Sequence, residues 1–88
     1  MNRWEKGMLA KSLAGHDKDK VYVIMDLDDT YVYLADGKLR TLDKQKKKKK
    51  IHVQLIMKKH DIESVDDVRI KHILNEYMKH ETGMKEEK

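Results

Sequence analysis

Six of the seven residues from Lys44 to Lys50 are lysine, in the order Lys44-Gln45-Lys46-Lys47-Lys48-Lys49-Lys50. Like charges at that density repel one another and keep the segment out of an apolar interior, which predicts a solvated loop. Strand-like apolar segments stand on both sides, Leu39 to Leu42 before it and Ile51 to Met57 after it. A basic loop held at both ends by a scaffold is suited to binding, and the plainer alternative is a solvated hairpin tip.

The charge distribution favours binding. Residues 1 to 37 carry five Lys/Arg against seven Asp/Glu, residues 38 to 60 ten against one, and residues 61 to 88 five against eight. All the excess of a chain with net charge +4 therefore sits in one segment. That is the electrostatic footprint of a polyanion partner, nucleic acid foremost. A membrane surface is disfavoured, because no amphipathic helix accompanies the lysines. No apolar run exceeds five residues, too few to span a bilayer. Met1 to Gly7 lacks the apolar stretch of a secretion signal, so a cytoplasmic location is expected. With no cysteine there is neither a disulfide framework nor a thiolate metal site. A chain of 88 residues makes one small domain with a limited core.

Gly7 to Ser12 reads as a first strand, and Trp4 before it is either a stacking residue or, by preference, a lid on the core. A polar loop, Ala14 to Lys20, leads to Val21-Tyr22-Val23-Ile24-Met25, a β-branched and aromatic run too short for an ordinary helix. Asp26 to Asp29 has turn chemistry, and Thr30 to Ala35 is again β-prone. Asp36-Gly37 predicts a two-residue hairpin turn into a strand over Lys38 to Leu42. The lysine loop then leads to a last strand, His52 to Ile56. Strands joined by short loops suggest an antiparallel meander, closed or nearly closed into a small barrel.

Beyond Asp61 the period changes. Ile70, Ile73, Leu74, Tyr77 and Met78 form the stripe of an amphipathic helix. Ser64 with Asp67 resembles a capping box, and Asp66 and Asp67 suit the positive end of the helix dipole. Gly83 is the expected stop. The expected organisation is a barrel over residues 1–60 with a basic loop at 44–50, a helical segment over 61–82 and a flexible tail at 83–88.

Three constellations invite a chemical reading. Asp26-Leu27-Asp28-Asp29-Thr30 after an apolar strand resembles the first motif of the haloacid-dehalogenase superfamily. That resemblance implies Asp26 as phosphoryl nucleophile, Asp28 as acid/base and magnesium beside them, within a Rossmann-like domain. A β-prone run follows Thr30, however, and Asp28-Asp29 makes an ordinary turn between strands. His72, Glu76 and His80 recur at i, i+4 and i+8, a spacing that reads as a solvated helix face rather than a metal site without a third strong ligand. Tyr31 and Tyr33 share one face of their strand, where tyrosines either half-bury or stack on exposed bases.

Gly7 to Ile24 has a first glycine opening a strand, a second, Gly15, in the following loop, a basic cluster and then an apolar strand. This pattern resembles a KOW motif. Together with Asp36 to Leu42, the lysine run and Ile51-His52-Val53, it is similar to small bacterial KOW-domain RNA-binding proteins, relatives of KOW-type large-subunit ribosomal proteins. The likeness covers roughly Gly7 to Tyr77, and Asp19 stands where that family usually has glycine. It implies a mainly-β, SH3-like barrel of about five antiparallel strands with a C-terminal α-helix, and RNA binding without catalysis. By the same likeness Gly7 and Gly15 are motif glycines. Lys18, Lys20, Arg40, Lys44, Lys46, Lys47, Lys48, Lys49, Lys50 and His52 are then the RNA contacts. The expected partners are ribosomal or other structured RNA, with ribosomal proteins second and no membrane, cofactor or small-molecule substrate. The runner-up is a protein-interaction module docking on acidic surfaces of the translation or transcription machinery.

Overall fold

The computed structural model describes residues 3–86, with side chains described as far as His80. Five strands, β1 (Leu9–Ser12), β2 (Val21–Leu27), β3 (Tyr31–Ala35), β4 (Lys46–Lys49) and β5 (Val53–Ile56), precede one helix, α1 (Asp67–Glu86). One-turn 3-10 helices lie at Leu42–Lys44 and Lys50–His52. The strands form one antiparallel sheet in the order β4-β3-β2-β1-β5. The expected small mainly-β domain with a C-terminal helix is thus present. By hydrogen bonding its sheet is open, with β4 and β5 as its two edges.

Strand alternation divides the apolar residues between two faces. Leu9, Val23 and Ala35 face α1 and bury against Ile70, Ile73 and Leu74. Ala10, Tyr22, Ile24, Val32, Leu34 and Val53 occupy the other face with Met8, and all are 6% exposed or less. Among the described residues α1 packs on the first face, and Trp4, Leu27 and Leu55 pack against the second cluster. Trp4 is the lid the sequence implies. Of the predicted helix stripe, Ile70, Ile73, Leu74 and Tyr77 pack on the sheet, while Met78 stays 43% exposed.

Four local expectations are corrected. The lysine run is not a solvated loop; Lys46–Lys49 is the edge strand β4, paired antiparallel with β3. Residues 38 to 42 are not a strand. The Asp36 carboxylate accepts hydrogen bonds from the Lys38 and Arg40 amides, both 2.8 Å, and the Arg40 carbonyl accepts from the Asp36 and Gly37 amides at 2.8 and 3.1 Å. Those bonds close a local turn, and a side chain competing for backbone donors in this way displaces a sheet ladder. The helix cap is Asp66 rather than Ser64, since Asp66 Oδ1 accepts from the Arg69 amide at 2.9 Å. Ser64 stands at φ 63, before the helix starts. Finally, α1 runs through Gly83 to Glu86, because one glycine costs a helix only about 1 kcal/mol and does not by itself end it. Of the expected tail, residues 87 and 88 lie outside the described residues.

Gly37 explains how the turn meets the helix. It adopts φ +78, and a Cβ there would run into the Asp67 carbonyl and the Lys71 backbone and side chain. The turn therefore lies directly against the first turn of α1. The Leu42 amide adds a hydrogen bond to Asp67 Oδ1 at 2.9 Å.

Candidate nucleic-acid interface

Because β4 is a strand, its lysines alternate between two environments. Lys46 and Lys48 pair across the sheet with Leu34 and Val32, on the face of the second core cluster. Their stems lie along apolar surface, and their side chains are only 27% and 12% exposed. Both ammonium groups turn to one carboxylate, Asp17, with Lys46 Nζ 3.7 Å from Oδ2 and Lys48 Nζ 3.5 Å from Oδ1. Lys48 also donates to the Ala14 carbonyl at 3.2 Å.

Asp17 is held from a third side. The Ser12 hydroxyl donates to Oδ1 at 2.8 Å and the Tyr22 hydroxyl to Oδ2 at 2.7 Å. Burial alone would raise its pKa, but these two hydrogen bonds and the two lysines outweigh it and hold the carboxyl at about 2. Burial and the adjacent Asp17 carboxylate push the Tyr22 phenol well above its ordinary value, so it remains a donor. A short run of lysines thus has a partly buried structural half, and its anchor lies some thirty residues upstream.

The other half faces out. Lys47 and Lys49 pair with Tyr33 and Tyr31, and these four side chains share the sheet face of Ala35. The helix cluster includes Ala35 but neither tyrosine, and both rings are half-buried. Lys47 Nζ lies 4.3 Å from the centroid of the Tyr31 ring. The Lys50 amide donates to the Thr30 carbonyl at 2.9 Å. Counting back along the antiparallel ladder, the backbone polar groups of Lys47 and Lys49 point to the open edge.

The remaining sequence-predicted contacts divide in the same way. Lys20 is spent on Asp36, at 2.6 Å from its Oδ2, and lies 5.5 Å from the Tyr22 ring. Burial opposes charge on Asp36, yet the Lys20 contact and two amides lower its pKa. Lys50 sits 5.4 Å from the Trp4 ring. Lys18, Lys44 and His52 are exposed, and Arg40 is half-exposed. Among the described residues, no carboxylate lies within ion-pairing distance of Lys18, Arg40, Lys44, Lys47, Lys49 or Lys50. Arg40, His16, Lys20 and Lys46 come together around an open groove of about 290 Å³ beside Tyr22 and the exposed Leu39. Gly15, at φ +89, turns the loop that brings His16 and Asp17 there. Sequence reasoning missed the role of Asp17, whose partners at positions 12, 22, 46 and 48 follow no local period.

The Asp26–Thr30 segment is a hairpin. Asp28 Oδ1 accepts from the Thr30 and Tyr31 amides at 2.9 and 2.7 Å, and Oδ2 accepts from the Tyr33 hydroxyl at 3.1 Å. Those donors lower the Asp28 pKa, the Tyr31 amide most. β2 and β3 are antiparallel, unlike the parallel crossover of a Rossmann-like domain. Among the described residues, no three His, Asp or Glu side chains are grouped to hold a metal ion, and no helix is long and apolar enough to cross a membrane. Compared with models of known protein families and with curated proteins, the chain matches none.

Proposed function

We propose that this protein is a non-catalytic RNA-binding module, of the kind found on ribosomal or other structured RNA. The observation that carries the reading is the edge strand β4, which presents Lys47 and Lys49 outward beside two tyrosines while its inward lysines hold the strand in place. Among the described residues, Lys18, Arg40, Lys44, Lys47, Lys49 and Lys50 have no carboxylate within ion-pairing distance. Lysines supply phosphate neutralisation with little sequence preference, and Arg40 adds a planar fork suited to bidentate phosphate contact. The sequence resemblance to KOW motifs, with Gly7 and Gly15 as its glycines, points to the same reading. Asp19, where that family has glycine, stands at φ +74. The antiparallel strand order β4-β3-β2-β1-β5 favours an SH3-like domain as part of this proposal.

The test is the salt dependence of binding. If about five phosphates on a single strand are neutralised, log Kd against log salt concentration has a slope of magnitude about 3 to 4. Replacing both outward lysines, Lys47→Gln with Lys49→Gln, is expected to lower that magnitude by about 1.4. A flat salt response sinks the mechanism.

A second reading rests on the same edge. The outward backbone groups of Lys47 and Lys49 can accept an extended acidic segment of a protein as a sixth strand, with the lysines pairing its carboxylates. Capture of a protein partner that survives nuclease treatment and is lost on substituting these lysines favours that reading.

A further inference from the structure

We infer that the ligand of this interface is single-stranded RNA in an extended form, with bases seated on Tyr31 and Tyr33 and phosphates along β4. The inference deepens the RNA-binding reading above and rests on it. Three observations carry it.

The two rings stand on one sheet face, two residues apart on β3, and neither packs into the helix cluster. Two residues of strand span about 7 Å, roughly twice the ~3.4 Å rise per nucleotide of a stacked duplex strand. Adjacent rings therefore suit successive bases of an extended chain.

Charge is arranged with a direction. Lys47 and Lys49 lie across the ladder from the tyrosines on the β4 side. On the β2 side stand Asp26, opposite Tyr33, and Asp28, which receives the Tyr33 hydroxyl. A strand whose phosphates follow the lysine edge and whose bases point inward satisfies both. A duplex hides its bases and presents phosphates on both strands, so a close approach brings one set towards the carboxylates.

Lys47 at present lies over the Tyr31 ring, at 4.3 Å. An exposed cation–π contact is weaker than base–aromatic stacking, so an incoming base displaces the ammonium, and the flexible lysine swings its head to phosphate. The lysine acts as a placeholder for the base.

The experiment compares a fluorescent oligo-uridine of about ten nucleotides with an RNA duplex of matched phosphate count. Wild type, Tyr31→Leu, Tyr31→Phe and Tyr33→Leu are titrated with each, and melting is recorded for every variant. Each leucine variant is expected to lose about tenfold in single-strand affinity, with duplex binding unchanged and Tyr31→Phe close to wild type. On the wild type, the ring-proton resonances of Tyr31 and Tyr33 should shift with single strand and not with duplex, a readout independent of how any variant folds. The inference is overturned if duplex binds as tightly as single strand. It is also overturned if the leucine variants keep full single-strand affinity while Lys47→Gln with Lys49→Gln loses it, an outcome that leaves the RNA-binding reading standing. Absence of binding to either RNA overturns both.

Discussion

Asp17→Asn is expected to cost the fold about 3 kcal/mol, near the range for removing one partner of a buried charge pair. The substitution keeps the shape of the side chain and removes the charge that Lys46 and Lys48 share. Lys48, 12% exposed, is then left with only the Ala14 carbonyl. The amide of asparagine also points a donor where the carboxylate accepted from Ser12 or Tyr22. For a domain of this size the loss lowers Tm by on the order of 15 °C.

The same residue sets the acid stability. Its folded pKa of about 2 lies below the ordinary 3.8, so its contribution is fully present above pH 4 and is lost as pH falls towards 2. The depression corresponds to about 2 kcal/mol, which Asp17→Asn should no longer lose on acidification. Chemical denaturation of both proteins at neutral pH and near pH 2.5 checks this. An equal acid response in the two would place the acid-sensitive group elsewhere.

Gly37→Ala is expected to cost about 3 kcal/mol or more, through two terms that add. A non-glycine residue in the left-handed region costs about 1 kcal/mol. Overpacking against a well-packed neighbour adds roughly 1 to 3. The neighbour here is the backbone of α1 at Asp67 and Lys71, which cannot rotate aside as a side-chain tip can. The helix must shift, loosening Ile70, Ile73 and Leu74 from Leu9, Val23 and Ala35. Amide exchange should therefore show α1 losing protection more than β4 does. Uniform loss of protection would mean that the turn and the helix are not mechanically linked as described.

These two residues mark where the sequence was silent. β2, β3 and β5 were legible because β-branched and aromatic residues recur in them, β1 from the short apolar run Met8-Leu9-Ala10 after Gly7, and α1 because its apolar residues recur every three or four positions. β4 was not legible. Four consecutive lysines carry no apolar alternation, and what holds the inward pair is a carboxylate near the other end of the sheet region. Asp36-Gly37 signalled a hairpin, yet the Asp36 side chain bonds the backbone of Lys38 and Arg40 and ends the strand pattern there. At the candidate site, sequence named the basic residues but had no means of telling spent cations, such as Lys20 and Lys48, from free ones. That distinction depends on non-local pairing.

Strand alternation divides the lysine run into an inward pair held by Asp17 and an outward pair that, on the function proposed above, binds RNA. The most direct measurement sets Lys46→Gln with Lys48→Gln against Lys47→Gln with Lys49→Gln, taking Tm and single-stranded RNA affinity for each. The inward pair should lower Tm clearly, whereas the outward pair should leave Tm near wild type and weaken RNA binding about tenfold or more at low salt. If the two double variants lose Tm and affinity to the same extent, the run acts as an undivided block of charge and the account is wrong.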